Sequence, residues 1–349
     1  MGVFRFDEIA KESRGTFKGN LEGKPIVGLE HIEPYDMLLK NWDVDVETTF
    51  TKEFHKGQIL FGRRRAYQHK ACVATCDGIC SGDITLIEPI EGMVYPDLLP
   101  FIVQNDDFFE HAIKGSNGAL SPRVKWEHMA NYEVNLPSLS EQKVLAEKLW
   151  AAYEVKQSYL KMIEATEEMV KSQFIEMFGD THSSGNNSKR WKEVVDIING
   201  KDYKTVQVEQ GGYPVYGTGG EMARASEYLS PENSILLGRK GTIDKPLLIK
   251  EKYWNVDTAF AAVPDANYLN YIYFYWHCKT IDFKTLNKGT TLPSTTKVDL
   301  LELWIRIPEM GKQKEFASIV NQADKSISEL RKSIDAIDKV IKSLINEKL

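Results

Sequence analysis

The feature that most constrains this chain is that it repeats itself. Gln58-Ile59-Leu60-Phe61-Gly62-Arg63-Arg64 returns 176 residues later as Ser234-Ile235-Leu236-Leu237-Gly238-Arg239-Lys240. Leu136-Pro137, followed by Glu141-Gln142-Lys143, returns 171 residues later as Ile307-Pro308 followed by Lys312-Gln313-Lys314. The order of landmarks is kept while the offset drifts, as loop deletions between two copies would make it do. A chain of 349 residues exceeds the ~100–200 residues of one ordinary domain, and two tandem units of about half the chain each account for it.

Each copy ends in an X-Pro stop, a short polar stretch and a long helical run. In the first run Leu145, Leu149, Ala152, Lys156, Tyr159, Ile163, Thr166, Val170, Gln173 and Met177 recur at a spacing of about 3.5 residues. In the second run Phe316, Val320, Ala323, Ile327, Leu330, Ile334, Ile337, Ile341 and Leu344 do so without interruption, the pattern of a coiled-coil seam. A helix over 140–178 would be roughly 55 Å long at ~1.5 Å per residue, too long to lie inside a domain of this size. Its expected partner is the second helix of the same chain, antiparallel, which would bring the C-terminus back toward the first unit. The alternative is that each helix packs on its own unit or joins two copies of the chain.

The organisation expected is therefore a globular unit over 1–139, a long helix over 140–178, a second globular unit over 179–310 and a second long helix over 311–349. The globular stretches carry short β-type runs: Lys24 to Leu29, Gln58 to Phe61 and Ile84 to Ile87 in the first, Tyr213 to Tyr216, Ser234 to Leu237 and Thr258 to Val263 in the second. Asp97 to Ile113 and Leu269 to Phe283 read as buried helices, which makes each unit α+β. The aromatic run Tyr268 to Trp276 is too short to span a membrane and is expected in the core.

Hydrophobic residues at 42% and charged residues at 27% fit a globular chain rather than a disordered one. No apolar run approaches the ~18 residues of a membrane span. Asp7 and Glu8 fall where a signal peptide would carry its apolar region, so the cytoplasm is the expected compartment. The net charge of -6 argues against a general polyanion binder, yet the basic residues cluster at matching places. Lys52, Lys56, Arg63, Arg64, Arg65 and Lys70 face only Glu53 between positions 52 and 76, and Arg239, Lys240, Lys245 and Lys250 face only Asp244. A second basic stretch precedes each long helix: Lys114, Arg123 and Lys125, then Lys279, Lys284, Lys288 and Lys297. Two matching basic sites held apart by a rod suit duplex DNA, where Arg and Lys position on phosphates and Arg pairs in bidentate fashion with guanine.

Chemistry of other kinds is hard to place. Cys72, Cys76 and Cys80 are spaced by four residues, not as the C-x2-C pair of a zinc site, and only His69 is near; they are expected to be packing thiols. Gly217-Thr218-Gly219-Gly220 lacks the Lys and Ser/Thr of a phosphate loop and is expected to be a turn. The metalloprotease, nucleophile-elbow and kinase signatures are missing, as is an Asn/Asp-Pro-Pro-Tyr motif, so the chain is expected to read rather than react.

The order of unit, Leu136-Pro137-Ser138-Leu139-Ser140-Glu141-Gln142-Lys143, long helix ending Phe174-Ile175-Glu176-Met177-Phe178-Gly179-Asp180, second unit and second helix resembles the specificity subunit of type I restriction-modification systems. Tyr213 to Gly220 and Ile235 to Thr242 are also similar to stretches of that family's target recognition domains. The resemblance implies a non-catalytic subunit that binds no cofactor of its own. Each recognition domain would read one half of a bipartite site in double-stranded DNA, with Thr242 joining the basic residues at the interface, and the paired helices would set the unread spacer. Two methyltransferase subunits using S-adenosylmethionine would be recruited, and restriction/translocase subunits using ATP and Mg2+ would complete the complex. The rival reading is an adaptor in which the coiled coil is the function and no DNA is bound; an enzyme built on the cysteines and His69 is a more distant one.

Overall fold

The computed structural model describes residues 2–287 and 293–349. It divides into two compact units, one made of 1–159 and 332–349, the other of 160–331. The divisions fall inside the long helices Leu139–Phe178 and Met310–Lys348, so each unit contains a part of both.

The two units share one topology. The larger sheet of unit 1 has the order Ala10–Ser13, Ile84–Pro89, Ile59–Gly62, Ala71–Val73, every neighbour antiparallel. That of unit 2 has the order Val195–Asn199, Ala259–Pro264, Ser234–Gly238, Leu247–Ile249, again antiparallel throughout. A second four-stranded sheet in each, with fewer residues, includes one parallel pair, Ile26–Val27 with Gly78–Cys80 and Tyr213–Gly217 with Trp254–Asn255. A two-stranded ribbon closes each unit, Gly2–Arg5 with Glu133–Leu136 and Ser188–Arg190 with Trp304–Arg306. The repeated Ile-Leu-Phe/Leu-Gly run is the fully buried strand next to the centre of the larger sheet, which is why it is apolar without alternation. The expected helix over 97–113 is broken into Leu99–Val103 and Asp106–Lys114, with Asn105 accepting from Asp107 N as the second helix's cap. Its counterpart is the single helix Tyr271–Lys279. Among the described residues no helix is long and apolar enough to cross a membrane.

The long helices are parts of the unit cores. In unit 1, Leu145, Ala146, Leu149, Tyr153 and Ile345 are buried in one cluster with Phe6, Phe61, Phe108 and Phe109, while Ile341 and Leu344 pack against it. In unit 2, Val170, Phe174, Phe178, Phe316, Ala317, Val320 and Ala323 share a cluster with Trp191, Phe260 and Tyr273. Of the other seam positions Ile163 and Ile334 are buried, and Tyr159, Ile327, Leu330 and Ile337 are half-buried. The helix ends pack on the sheets and helices of their own unit, and that widens the apolar stripe to positions such as Ala146, Tyr153, Phe174 and Phe178 that a 3.5-residue seam omits.

The repeated Glu/Lys-Gln-Lys landmark has a physical cause. Gln142 is 2% exposed and Gln313 is fully buried. Gln142 Nε2 donates to Pro137 O at 3.0 Å and its Oε1 accepts from Tyr95 N at 2.8 Å. Gln313 Nε2 donates to Pro308 O at 2.8 Å and Tyr268 O at 3.0 Å, and its Oε1 accepts from Asn270 N at 2.8 Å. One buried amide thus ties the first turn of each long helix to its globular unit. Ser138 and Glu141 add a reciprocal cap to the first helix, Glu141 Oε2 accepting from Ser138 N at 3.0 Å. Gly179, at φ 60°, ends that helix with its N donating to Ile175 O.

Unit 2 also buries a histidine. His277 Nε2 accepts from Trp191 Nε1 at 3.3 Å, which leaves Nδ1 to donate to Thr181 Oγ1 at 2.8 Å. Burial depresses its pKa well below the ordinary 6.5, and His182, whose ring centre lies 4.6 Å away, is depressed in the same direction.

Two outcomes follow for stability. Gln313→Leu leaves Asn270 N unpaired in a dry site and should cost about 2 kcal/mol, measured by denaturant unfolding; no change in midpoint would show that water replaces the amide. Because the folded state resists protonating His277 while the unfolded state accepts a proton below pH ~6.5, stability is complete above that pH and declines as pH falls further. The melting temperature of His277→Gln should be lower at neutral pH and less sensitive to acid; an unchanged pH slope would remove His277 as the cause.

Candidate nucleic-acid interface

The basic residues singled out in the two copies come together in space, and the same main-chain bonds assemble them in each unit. After strand Ile59–Gly62, Arg63 N donates to Asp83 O at 2.9 Å, Val124 N donates to Arg63 O at 3.0 Å, and Arg65 N donates to Pro122 O at 2.7 Å. After strand Ser234–Gly238, Arg239 N donates to Thr258 O at 2.9 Å, Thr295 N donates to Arg239 O at 3.0 Å, and Gly241 N donates to Pro293 O at 2.9 Å. A fourth loop joins through Ser81 N to Val27 O and, in unit 2, Val256 N to Tyr216 O. Asp83 thereby corresponds to Thr258, Arg123 to Ser294 and Arg65 to Gly241. Each unit carries one loop cluster built from four separate segments on a common backbone frame.

The glycines of the repeat serve this frame. A Cβ on Gly238 would stand 2.0 Å from Thr242 O, so only glycine lets the returning loop lie this close, and Thr295 Oγ1 donates to Gly238 O at 2.8 Å. Gly241 has φ 82°, and Arg65 occupies the corresponding left-handed conformation at φ 55°, unusual for a long side chain.

The side chains differ between copies. In unit 1, Arg123 holds Asp83 at two points, Nε to Oδ1 at 2.6 Å and Nη2 to Oδ2 at 3.0 Å. Arg64 Nε and Nη2 reach Ser121 Oγ at 3.2 and 3.0 Å, and its Nη1 lies 3.6 Å from Asp83 Oδ2. The Arg123 guanidinium, with those of Arg64 and Arg63 beside it, holds the Asp83 carboxyl below the usual range. Arg63 and Arg65 are half-buried, each with a buried Nε that has no partner among the described residues. In unit 2, Arg239 Nη1 donates to Asp257 O at 3.3 Å and its guanidinium lies 5.8 Å from the Phe260 ring centre. Lys240, Thr242 and Lys245 are exposed. Tyr203, Gly217, Gly220, Asp257 and Thr258 line an open recess of about 410 Å³ beside them.

Other residues expected here are placed differently. Lys125 is exposed at the start of the short helix Trp126–Met129. Lys70 Nζ donates to Leu29 O at 2.6 Å and Lys297 Nζ to Ile197 O, so both ammonium groups are committed within their own unit. Lys288 lies outside the described residues. Gly217 to Gly220 is the turn of a hairpin between Tyr213–Gly217 and Gly220–Ala225. Cys72 and Cys80 are buried in the small core of unit 1, where desolvation pushes the Cys72 thiol well up and the Cys80 thiol to about 12, the opposite of a reactive thiolate. Among the described residues no group of three or more His, Cys, Asp and Glu side chains could hold a metal ion. Asp83, Ser121, Thr258 and Ser294 were missed by sequence reasoning, which scored basic residues alone; the matching Pro122 and Pro293 were the signal that would have aligned them.

Fold and site define a duplicated α+β protein with one loop-built surface per unit. Residues 183–339 match the family model described as type I restriction modification DNA specificity domain. The type I restriction enzyme EcoDI specificity subunit of Escherichia coli is 27% identical over 143 residues, 40% of this chain and 31% of that protein. The alignment thus spans about a third of the relative's length. The fold is similar to a type I restriction-modification S subunit from M. genitalium, with a TM-score of 0.62 at 14% identity over 99% of this chain and 94% of the other. It is also similar to a chain from a structure of complex assembly and conformational transition of the type I system, with a TM-score of 0.58 at 17% identity over 99% and 97%. The family-model match covers the second unit, and the similarity of fold to solved S subunits extends over the whole chain.

Gly238→Ala should move the loop that carries Arg239 and destabilise unit 2 by about 2 kcal/mol or more, whereas Gly241→Ala, with open space around it but φ above zero, should cost only ~1 kcal/mol. Denaturant unfolding of the two variants checks the order; equal losses would contradict the close approach argued for Gly238.

Proposed function

We propose that this chain is the DNA-reading subunit of a type I restriction-modification complex, each unit reading one half of a bipartite duplex site. The observation that carries the reading is the loop cluster itself: two copies, one backbone frame, basic side chains at corresponding places and different neighbours around them. The match of residues 183–339 to the DNA specificity domain model supports sequence specificity toward DNA, and the duplication supports two half-sites. The two long helices pair as an antiparallel coiled coil, set the unread spacer and recruit two methyltransferase subunits. Those subunits supply S-adenosylmethionine chemistry on adenine, and restriction/translocase subunits supply ATP- and Mg2+-dependent cleavage, all in the cytoplasm.

Expression of this chain with the methyltransferase subunits of its own system, in a host without methylation of its own, should give a split adenine-methylated motif on sequencing. A stable complex carrying bound S-adenosylmethionine but methylating no motif would favour the adaptor reading. Within that complex, Arg63→Ala and Arg239→Ala should each weaken duplex binding about tenfold while leaving methyltransferase recruitment intact; unchanged affinity would remove the two residues from the interface.

A further inference from the structure

The four arginines at the unit 1 loop cluster are not equivalent. Arg64 spends Nε and Nη2 on Ser121 and faces Asp83 with Nη1, so its fork is committed. Arg63 and Arg65 are half-buried, with their Nε atoms buried and without a partner among the described residues. Arg123 alone is held along one edge and open along the other. Asp83 takes Nε and one Nη2 proton, and the end edge, Nη1 with the second Nη2 proton, has no partner among the described residues. The side chain is 43% exposed, against 20% for Asp83. Its backbone is fixed on both sides: Arg123 and Asn117 exchange both main-chain bonds at 3.0 Å, and Arg64 bridges to Arg123 from the other side.

A guanidinium held this way presents two parallel N–H donors in a fixed plane. In the major groove guanine alone offers two adjacent acceptors, N7 and O6; adenine pairs an acceptor with a donor, thymine an acceptor with a methyl group, and cytosine presents a donor. The carboxylate also offsets the charge of Arg123, which weakens its pull on phosphate in general and leaves geometry to decide the contact. Resting on the DNA reading proposed above, we infer that Arg123 is a specificity-determining residue that reads a guanine in the half-site of unit 1, with Asp83 as the positioning residue that aims it. Unit 2 has Ser294 and Thr258 at the corresponding places, so this preference belongs to one half-site only.

The test presents the full chain, assembled with the modification subunits of its own system, with a pool of duplexes randomised across both half-sites, and sequences the retained fraction. The wild-type complex should retain a strongly preferred guanine at one position of one half-site. Arg123→Lys keeps the charge but loses the fork, and Asp83→Asn keeps the shape but loses the second strong acceptor; each should reduce the guanine preference at that position about tenfold. All other positions should be unchanged, and so should the salt dependence of Arg123→Lys. A merely structural role would lower affinity across every sequence without touching one position. Retention of the wild-type preference by both variants, with duplex binding intact, overturns the assignment and leaves the DNA-reading function standing. A wild-type complex that enriches no sequence at all overturns both.

Discussion

Everything else in this protein depends on the long helices being built into the cores of the units. The first helix is a poor seam by itself, since Lys156, Thr166 and Gln173 interrupt its apolar positions. What fixes it is burial at its two ends. Phe174 lies 5.3 Å from Phe316 and 5.8 Å from Tyr273, centre to centre, and Phe178 lies 4.8 Å from Tyr273. Leu145, Leu149 and Tyr153 do the same for unit 1. Each large side chain buried in this way contributes on the order of 2 kcal/mol. The interruptions turn to polar use: Lys156 Nζ meets Asp338 at 2.6 Å.

The buried glutamines explain why so short a landmark survives in both copies. An amide has donors and an acceptor on one planar group, so it holds the carbonyl of the proline that precedes the helix, Pro137 or Pro308. At the same time it bonds the main chain of the adjoining loop, Tyr95 in one unit, Tyr268 and Asn270 in the other. A hydrocarbon of the same size would fill the space and leave those groups unpaired, which costs more than the packing returns.

How much of this was legible depended on whether the information was local. The repeat, the two long helices, the α+β character and the place of the basic clusters all rest on short-range pattern, and the sequence carried them. The buried strand Ile59–Gly62 was visible because an apolar run ending in glycine has few other uses. The partners across the cluster were not visible, because Asp83 and Arg123 are separated by forty residues and Thr258 and Ser294 by a similar stretch. Lys70 and Lys297 looked equivalent to Arg123 by charge, and only the fold shows their ammonium groups turned onto backbone carbonyls. A count of basic residues cannot separate a lysine that satisfies a carbonyl from an arginine held open by a carboxylate.

The contrast between the copies says how such a surface can change its chemistry without losing its shape. The loops are fastened by main-chain bonds, which any residue can accept and any but proline can donate, and by glycines where the backbone approaches most closely. The side chains at Asp83 and Thr258, or at Arg123 and Ser294, contribute little to that fastening. A substitution there alters the donors and acceptors that the surface presents while the frame stays in place. The exceptions are instructive: Gly238 is fixed by contact, and Arg65 sits in a conformation that glycine occupies in the other copy, so replacement at those places disturbs the frame itself. Shape and surface chemistry are thus carried by different atoms of the same loops, which is the condition under which two copies of a domain can diverge in what they present.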